Sequence, residues 1–184
     1  MTETTNIELK YFKTIGHEYQ WFILYEFSVS DKILFDKSDK EILKEIISSK
    51  ILNKSLYHNE MDGIELELKG LGETPGRPFE FDKIEMSDFQ FIESKTDFQN
   101  WVIKFGTEGW EDDRDDAQIL TDRAEKELWS RTNLKNGFWH LSKGNFENDS
   151  DKLIDVHWIY LHFETFIEID RANSMIRTFD FGYD

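Results

Sequence analysis

Cysteine is absent from the 184 residues, and proline occurs only twice. Without cysteine there can be no disulfide, no thiolate metal site and no thiol nucleophile, a composition that suits the cytoplasm, where we expect the protein to act. Proline and glycine are too sparse to form a linker, and no internal repeat is present, so residues 1–184 read as one domain of ordinary length, roughly 100–200 residues. Long apolar runs are missing too. The most apolar stretch, Tyr19 to Val29, is interrupted by Gln20, Glu26 and Ser28, whereas a bilayer-spanning helix needs roughly 20 apolar residues in a row. The first eight residues, Met-Thr-Glu-Thr-Thr-Asn-Ile-Glu, lack the basic segment and apolar stretch of a secretory signal.

Positive charge is the other scarcity. Lysine and arginine total 22 against 38 aspartates and glutamates, a formal net charge of −16. Such a chain is repelled by nucleic-acid phosphates and by anionic lipid headgroups, so neither direct nucleic-acid binding nor membrane association is expected. Disorder is excluded by the opposite feature, an abundance of aromatic residues: 16 Phe, 6 Trp and 6 Tyr. A chain of this size buries about 70% of the surface it exposes when unfolded.

The negative charge is unevenly placed. Residues 1–56 hold 9 acids and 8 bases, residues 57–130 hold 20 acids and 8 bases, and residues 131–184 hold 9 acids and 6 bases. The densest run is Glu108-Gly109-Trp110-Glu111-Asp112-Asp113-Arg114-Asp115-Asp116. It reads either as a solvated loop leading into a helix N-terminus, which favours carboxylates, or as an anionic docking surface. Trp110 inside that run is either folded inward as an anchor for the loop or exposed as an interface hot spot. Trp21, Trp129 and Trp158 are expected in the core.

Several elements can be read from the pattern. Tyr19 to Val29 is expected as a buried strand. Ser38-Asp39-Lys40-Glu41 has the form of a capping box and opens a helix over about 39–52, with Ile42, Leu43, Ile46, Ile47 and Ile51 on one face. Gly63 to Lys69 alternates apolar and charged residues, as in a strand of an antiparallel sheet with one wet face. Residues 70–78 form a loop. Residues 79–93 continue in β style, with Phe79, Phe81, Phe89 and Phe91 at even spacings. Phe98 to Phe105 fits either a strand or a short helix opened by Thr96. A second helix is expected from Asp116, with Ala117, Leu120, Ala124 and Leu128 in one stripe and Arg123, Glu127 and Arg131 in another. Gly137 to Leu141 suggests a short strand, followed by a loop at 144–151. Val156 to Ile169 and residues 175–182 suggest a hairpin across Asp170 to Ser174. The sum is an α+β domain, an antiparallel sheet with two or three packed helices.

Motifs for chemistry are missing. There is no GxxxxGK[ST], no GxGxxG opening a helix, no GxSxG and no HExxH. The acidic run lacks the glycine of a calcium loop and carries Arg114 within it. Five histidines are present: His17, His58, His140, His157 and His162. His162 and Glu164 lie two apart on an expected strand and share a face, but a third ligand is missing. His157 falls on the opposite face of that strand. No cofactor or metal is expected.

In size, acidity and α+β pattern the chain resembles the immunity proteins with which bacteria neutralise toxin domains, many of them nucleases. The resemblance is one of whole-chain profile and carries no family motif, so it transfers no functional residues. It implies a protein-binding module that masks the active-site surface of a basic toxin domain, with opposite charges steering association. On this reading Glu108, Trp110, Glu111, Asp112, Asp113, Asp115 and Asp116 are the candidate partner-binding residues. Full mimicry of nucleic acid is disfavoured, because the first 56 residues are almost neutral. A reading from another class is a small hydrolase or ligand-binding protein, with His157 or His162 beside carboxylates in a pocket of the sheet. An adaptor of other function is a third.

Overall fold

A long hairpin pairs β1 (Ile7–His17) with β2 (Gln20–Val29). The computed structural model describes residues 7–17, 20–30, 32–53, 77–107, 114–133, 135–146, 148–154, 157 and 162–183. The expected strand at 63–69 and most of the loop at 70–78 lie outside them. The remaining strands are β3 (Gln90–Ile92), β4 (Phe138–Ser142), β5 (His162–Asp170) and β6 (Met175–Tyr183). All six form one antiparallel sheet in the order β1-β2-β6-β5-β4-β3. With three α-helices packed on it, the architecture is α+β.

Strand alternation divides the sheet into two covered faces. On one, Ile23, Tyr25 and Phe27 of β2 join Phe163, Ile167 and Ile169 of β5 and Ile176 of β6. Over them lies α1 (Asp39–Ser48), which buries Ile42, Leu43 and Ile46. On the other, Phe22, Leu24, Phe138, Phe166, Phe179 and Phe181 meet α2 (Lys95–Thr107) through Phe98 and α3 (Arg114–Trp129) through Leu120 and Ala124. Phe98 anchors α2 by stacking on Phe138, with ring centroids 4.0 Å apart.

Local chemistry explains where the helices start and stop. Ser38 caps α1 in a complete capping box: its backbone N–H donates to the Glu41 carboxylate at 2.9 Å, and its hydroxyl accepts from the Glu41 N–H. The helix ends four residues earlier than the apolar spacing suggests. Lys50 adopts a left-handed conformation, φ 60°, which breaks the helix and sends Ile51 and Leu52 into a separate 3-10 turn. The segment 98–105, equally readable as strand or helix, is helical. Ser94 rather than Thr96 caps it, its hydroxyl accepting from the Asp97 N–H at 3.0 Å.

Two other departures have physical causes. Residues 79–93 are not a continuous strand: 3-10 turns at Phe81–Lys83 and Met86–Asp88 intervene, and only Gln90–Ile92 pairs with β4. Phe79, Phe81 and Phe89 are nonetheless all buried in the core over which α1 lies. The even spacing of the phenylalanines thus reflects burial without strand geometry. β1 has no counterpart among the expected elements. Its register shifts between Leu9 and Tyr11, so the alternation changes phase part-way along and does not show as a period of two.

Candidate functional site

The acidic run leads into α3. Glu108, Trp110, Glu111, Asp112 and Asp113 lie outside the described residues, while Asp115 and Asp116 occupy the first turn of the helix. That is a position where the helix dipole favours negative charge. Leu120, Thr121 and Ala124 are buried beneath α3, so Ile119 and Asp122 fall on its outer face, and both are exposed. Positions 115, 116 and 122 stand four, three and three residues from Ile119 along the helix and are its neighbours there, as is exposed Arg123, four residues on. Ile119 is 46% exposed, one of two large apolar side chains left so open among the described residues. Its isolation in the polar half of the sequence pattern hid it.

The arginines behave differently from the acids. Arg123 donates to the Gly16 carbonyl at 3.1 Å, and Arg171 to the Phe35 carbonyl and the Asp39 carboxylate. Arg131, at the end of α3, lies over the Tyr11 ring, 3.5 Å from its centroid, and pairs with Glu26 at 2.9 Å. Arg177 reaches Glu26 at 2.9 Å, Glu168 at 3.1 Å and Asp170 at 2.8 Å. In the ladder Arg177 stands directly opposite Glu26 on β2 and Glu168 on β5, so register alone creates the cluster. All four side chains are buried under the helical layer. Glu168 and Asp170 of β5 therefore meet a guanidinium instead of water.

Burial pushes Glu168 above the ordinary carboxylate range, against the opposing influence of Arg177 and of hydrogen bonds from Asn136 and Asn133. At Asp170 desolvation also raises the pKa, but hydrogen bonds from Asn173 and Arg177 outweigh it and hold the group below its usual value. On the opposite face Arg77 pairs with Asp180 at 2.8 Å and also donates to Thr178 and to the Leu52 carbonyl. Asp180, wholly enclosed, is raised by desolvation despite Arg77 and Thr165.

Histidine chemistry centres on His140, which neither strand spacing nor a motif had singled out. Its Nε2 lies 2.7 Å from the Glu164 carboxylate, and Ser142 Oγ donates to the other oxygen of that group at 2.8 Å. His140 stacks on Phe166, with Trp101 of α2 alongside. Ser142 and His140 both bond the carboxylate rather than each other, so the trio is a hub on Glu164 and lacks the hydroxyl-to-imidazole bond that activates a nucleophile. His162 is exposed at the start of β5, on the same strand face as Glu164, whose oxygens are already engaged. His157 precedes β5 and sits in a 3-10 turn. Among the described residues no group of three histidines or carboxylates is placed to hold a metal ion, and no helix is long and apolar enough to cross a membrane.

The second exposed apolar side chain is Phe91 on β3, at 42%. It packs on Trp139, directly opposite in β4, with centroids 4.8 Å apart, and over Gly137, where a Cβ would stand 2.1 Å from the Phe91 Cζ. The Trp139 indole N–H is buried and has no acceptor among the described residues. Comparison with family models, with curated proteins and with solved structures finds no match for the chain.

Proposed function

We propose that this chain is an acidic protein-binding module, an inhibitor that masks the active-site surface of a basic toxin domain in the manner of an immunity protein. The observation that carries this reading is the outer face of α3, where exposed Ile119 has three acidic positions and Arg123 within one helical turn, at the end of the densest acidic run. An apolar centre with a charged rim is the anatomy of a protein interface. The burial of Arg77 and Arg177 supports it further, because both spend their charge on carboxylates inside the molecule rather than on its exterior. A nuclease is a natural target, since enzymes that grip phosphates are themselves basic. The acidic surface would then steer association, with on-rates up to about 10⁸–10⁹ M⁻¹s⁻¹ at low salt.

The test uses the product of the neighbouring coding sequence, because an inhibitor is commonly made beside its target. Co-expression should relieve the growth arrest that this product causes. Reversal of Glu111, Asp112, Asp113 and Asp115 to lysine should weaken binding severely and flatten its dependence on salt. Undiminished affinity in that variant would reject the α3 surface. Failure to protect or to bind would reject the inhibitor reading itself.

A further inference from the structure

The chain holds its own arginines in a recurrent way. Arg131 lies 3.5 Å from the centroid of Tyr11 with Glu26 at 2.9 Å, and Arg77 lies 5.1 Å from the centroid of Tyr25 with Asp180 at 2.8 Å. Each guanidinium receives an aromatic face and a carboxylate together, a combination that suits its planar, weakly hydrated charge.

Aromatic and acidic side chains also stand close in sequence at the far edge of the sheet, and among the described residues no arginine is shown against them. Phe91 is exposed and packs against Trp139 and Gly137. Glu93, two residues on, is exposed, as is Glu85 before it. Residues 85–97 carry Glu85, Asp88, Glu93 and Asp97 against Lys95 alone. Of these acids Asp88 is neutralised by Lys152 at 2.7 Å. β3 is the last strand of the sheet, and among the described residues no backbone group outside β4 bonds to Gln90, Phe91 or Ile92.

We propose that the Phe91–Trp139 pair with Glu93 is a docking point for an arginine-bearing, extended segment of a basic partner. The guanidinium stacks on the open face of Phe91 and pairs with Glu93, while the segment's backbone runs along the unpaired edge of β3. The proposal shares with the preceding reading only the assumption of a basic partner, and it concerns a different edge of the molecule from α3.

The experiment is an NMR titration of the full chain at low ionic strength with the capped peptide Gly-Val-Arg-Val-Arg-Gly. Saturable shifts are expected in the Gln90–Glu93 amides and in the Trp139 indole. Phe91→Ala should weaken binding at least about tenfold, as should Glu93→Lys, an exposed change that leaves the packing of Phe91 in place. Citrulline in place of arginine should abolish binding, and lysine should weaken it. Shifts centred on 115–123 would overturn the proposal while leaving the α3 reading intact. Equal binding by both variants, or a dimer of this chain covering β3 in sedimentation, would also overturn it. Loss of toxin neutralisation in the α3 variants with peptide binding retained would separate the two surfaces.

Discussion

Glu168 and Asp170 share one guanidinium and titrate in opposite directions. Both accept from Arg177 Nη1, at 3.1 and 2.8 Å, from the same face of β5. Desolvation raises Glu168, whereas at Asp170 hydrogen bonds from Asn173 and Arg177 prevail over it. Above the unfolded value of about 4.3, a raised Glu168 keeps a proton that the unfolded chain has lost, so stability falls as pH rises through its folded pKa. A depressed Asp170 contributes stability above an unfolded value of about 3.9, and loses it as pH falls through its folded pKa. Urea unfolding across this range should therefore show Glu168→Gln flattening the decline on the alkaline side. Asp170→Asn should flatten the loss on the acid side. Both variants altering the same limb would contradict the assignment.

Among the described residues Arg177 is the cation that reaches all three of these buried carboxylates, with Arg131 assisting at Glu26. Arg177→Met removes the countercharge and leaves the acids enclosed. Breaking a buried pair from one side costs about 3–5 kcal/mol. A midpoint shift of that size in urea is expected. Loss below about 1 kcal/mol would mean that the carboxylates reach water.

Ser38 and Ser94 each close the first turn of a helix with their hydroxyl. Replacement of either by alanine should cost about 1 kcal/mol. The loss should be the same at low and high salt, because the bonds to backbone N–H groups are short-range. A strongly salt-dependent loss would count against capping.

Gly182 lies opposite Trp21 in the ladder, and a Cβ there would fall 2.3 Å from the Trp21 Cζ2. Gly182→Ala should displace the indole and lower stability by about 1–3 kcal/mol. At Gly137 the neighbour is Phe91, whose ring is partly exposed and can swing outward. The penalty there should be smaller. Thermal melts of the two variants give the comparison, and equal losses would contradict it.

Much of this fold is legible in the pattern of residues. The capping box at Ser38, the apolar stripe of α3 and the hairpin of β5 and β6 follow from local spacing, which is a property of neighbours in the chain. β1 escapes because a bulge changes the phase of its alternation, and the 3-10 turns between Phe79 and Phe89 escape because burial alone does not imply a strand. Of the candidate site, the acidic positions Asp115 and Asp116 and the helix that bears them are legible. Partnerships across the sheet, such as His140 with Glu164 or Arg177 with Glu26, depend on strand order and register. No spacing within a single strand encodes them. Exposure of Ile119 and Phe91 is likewise a fact of packing, since each has an ordinary apolar identity in the sequence.

Arg77 has a consequence for what this protein can become. Its guanidinium grips the Leu52 carbonyl at 2.8 Å and the Asp180 carboxylate together, so residues 52, 77 and 180, far apart in sequence, are clasped at one buried point. Leu52, Arg77 and β6 are thus held in one arrangement by a single side chain, and a substitution at position 77 would release both contacts at once.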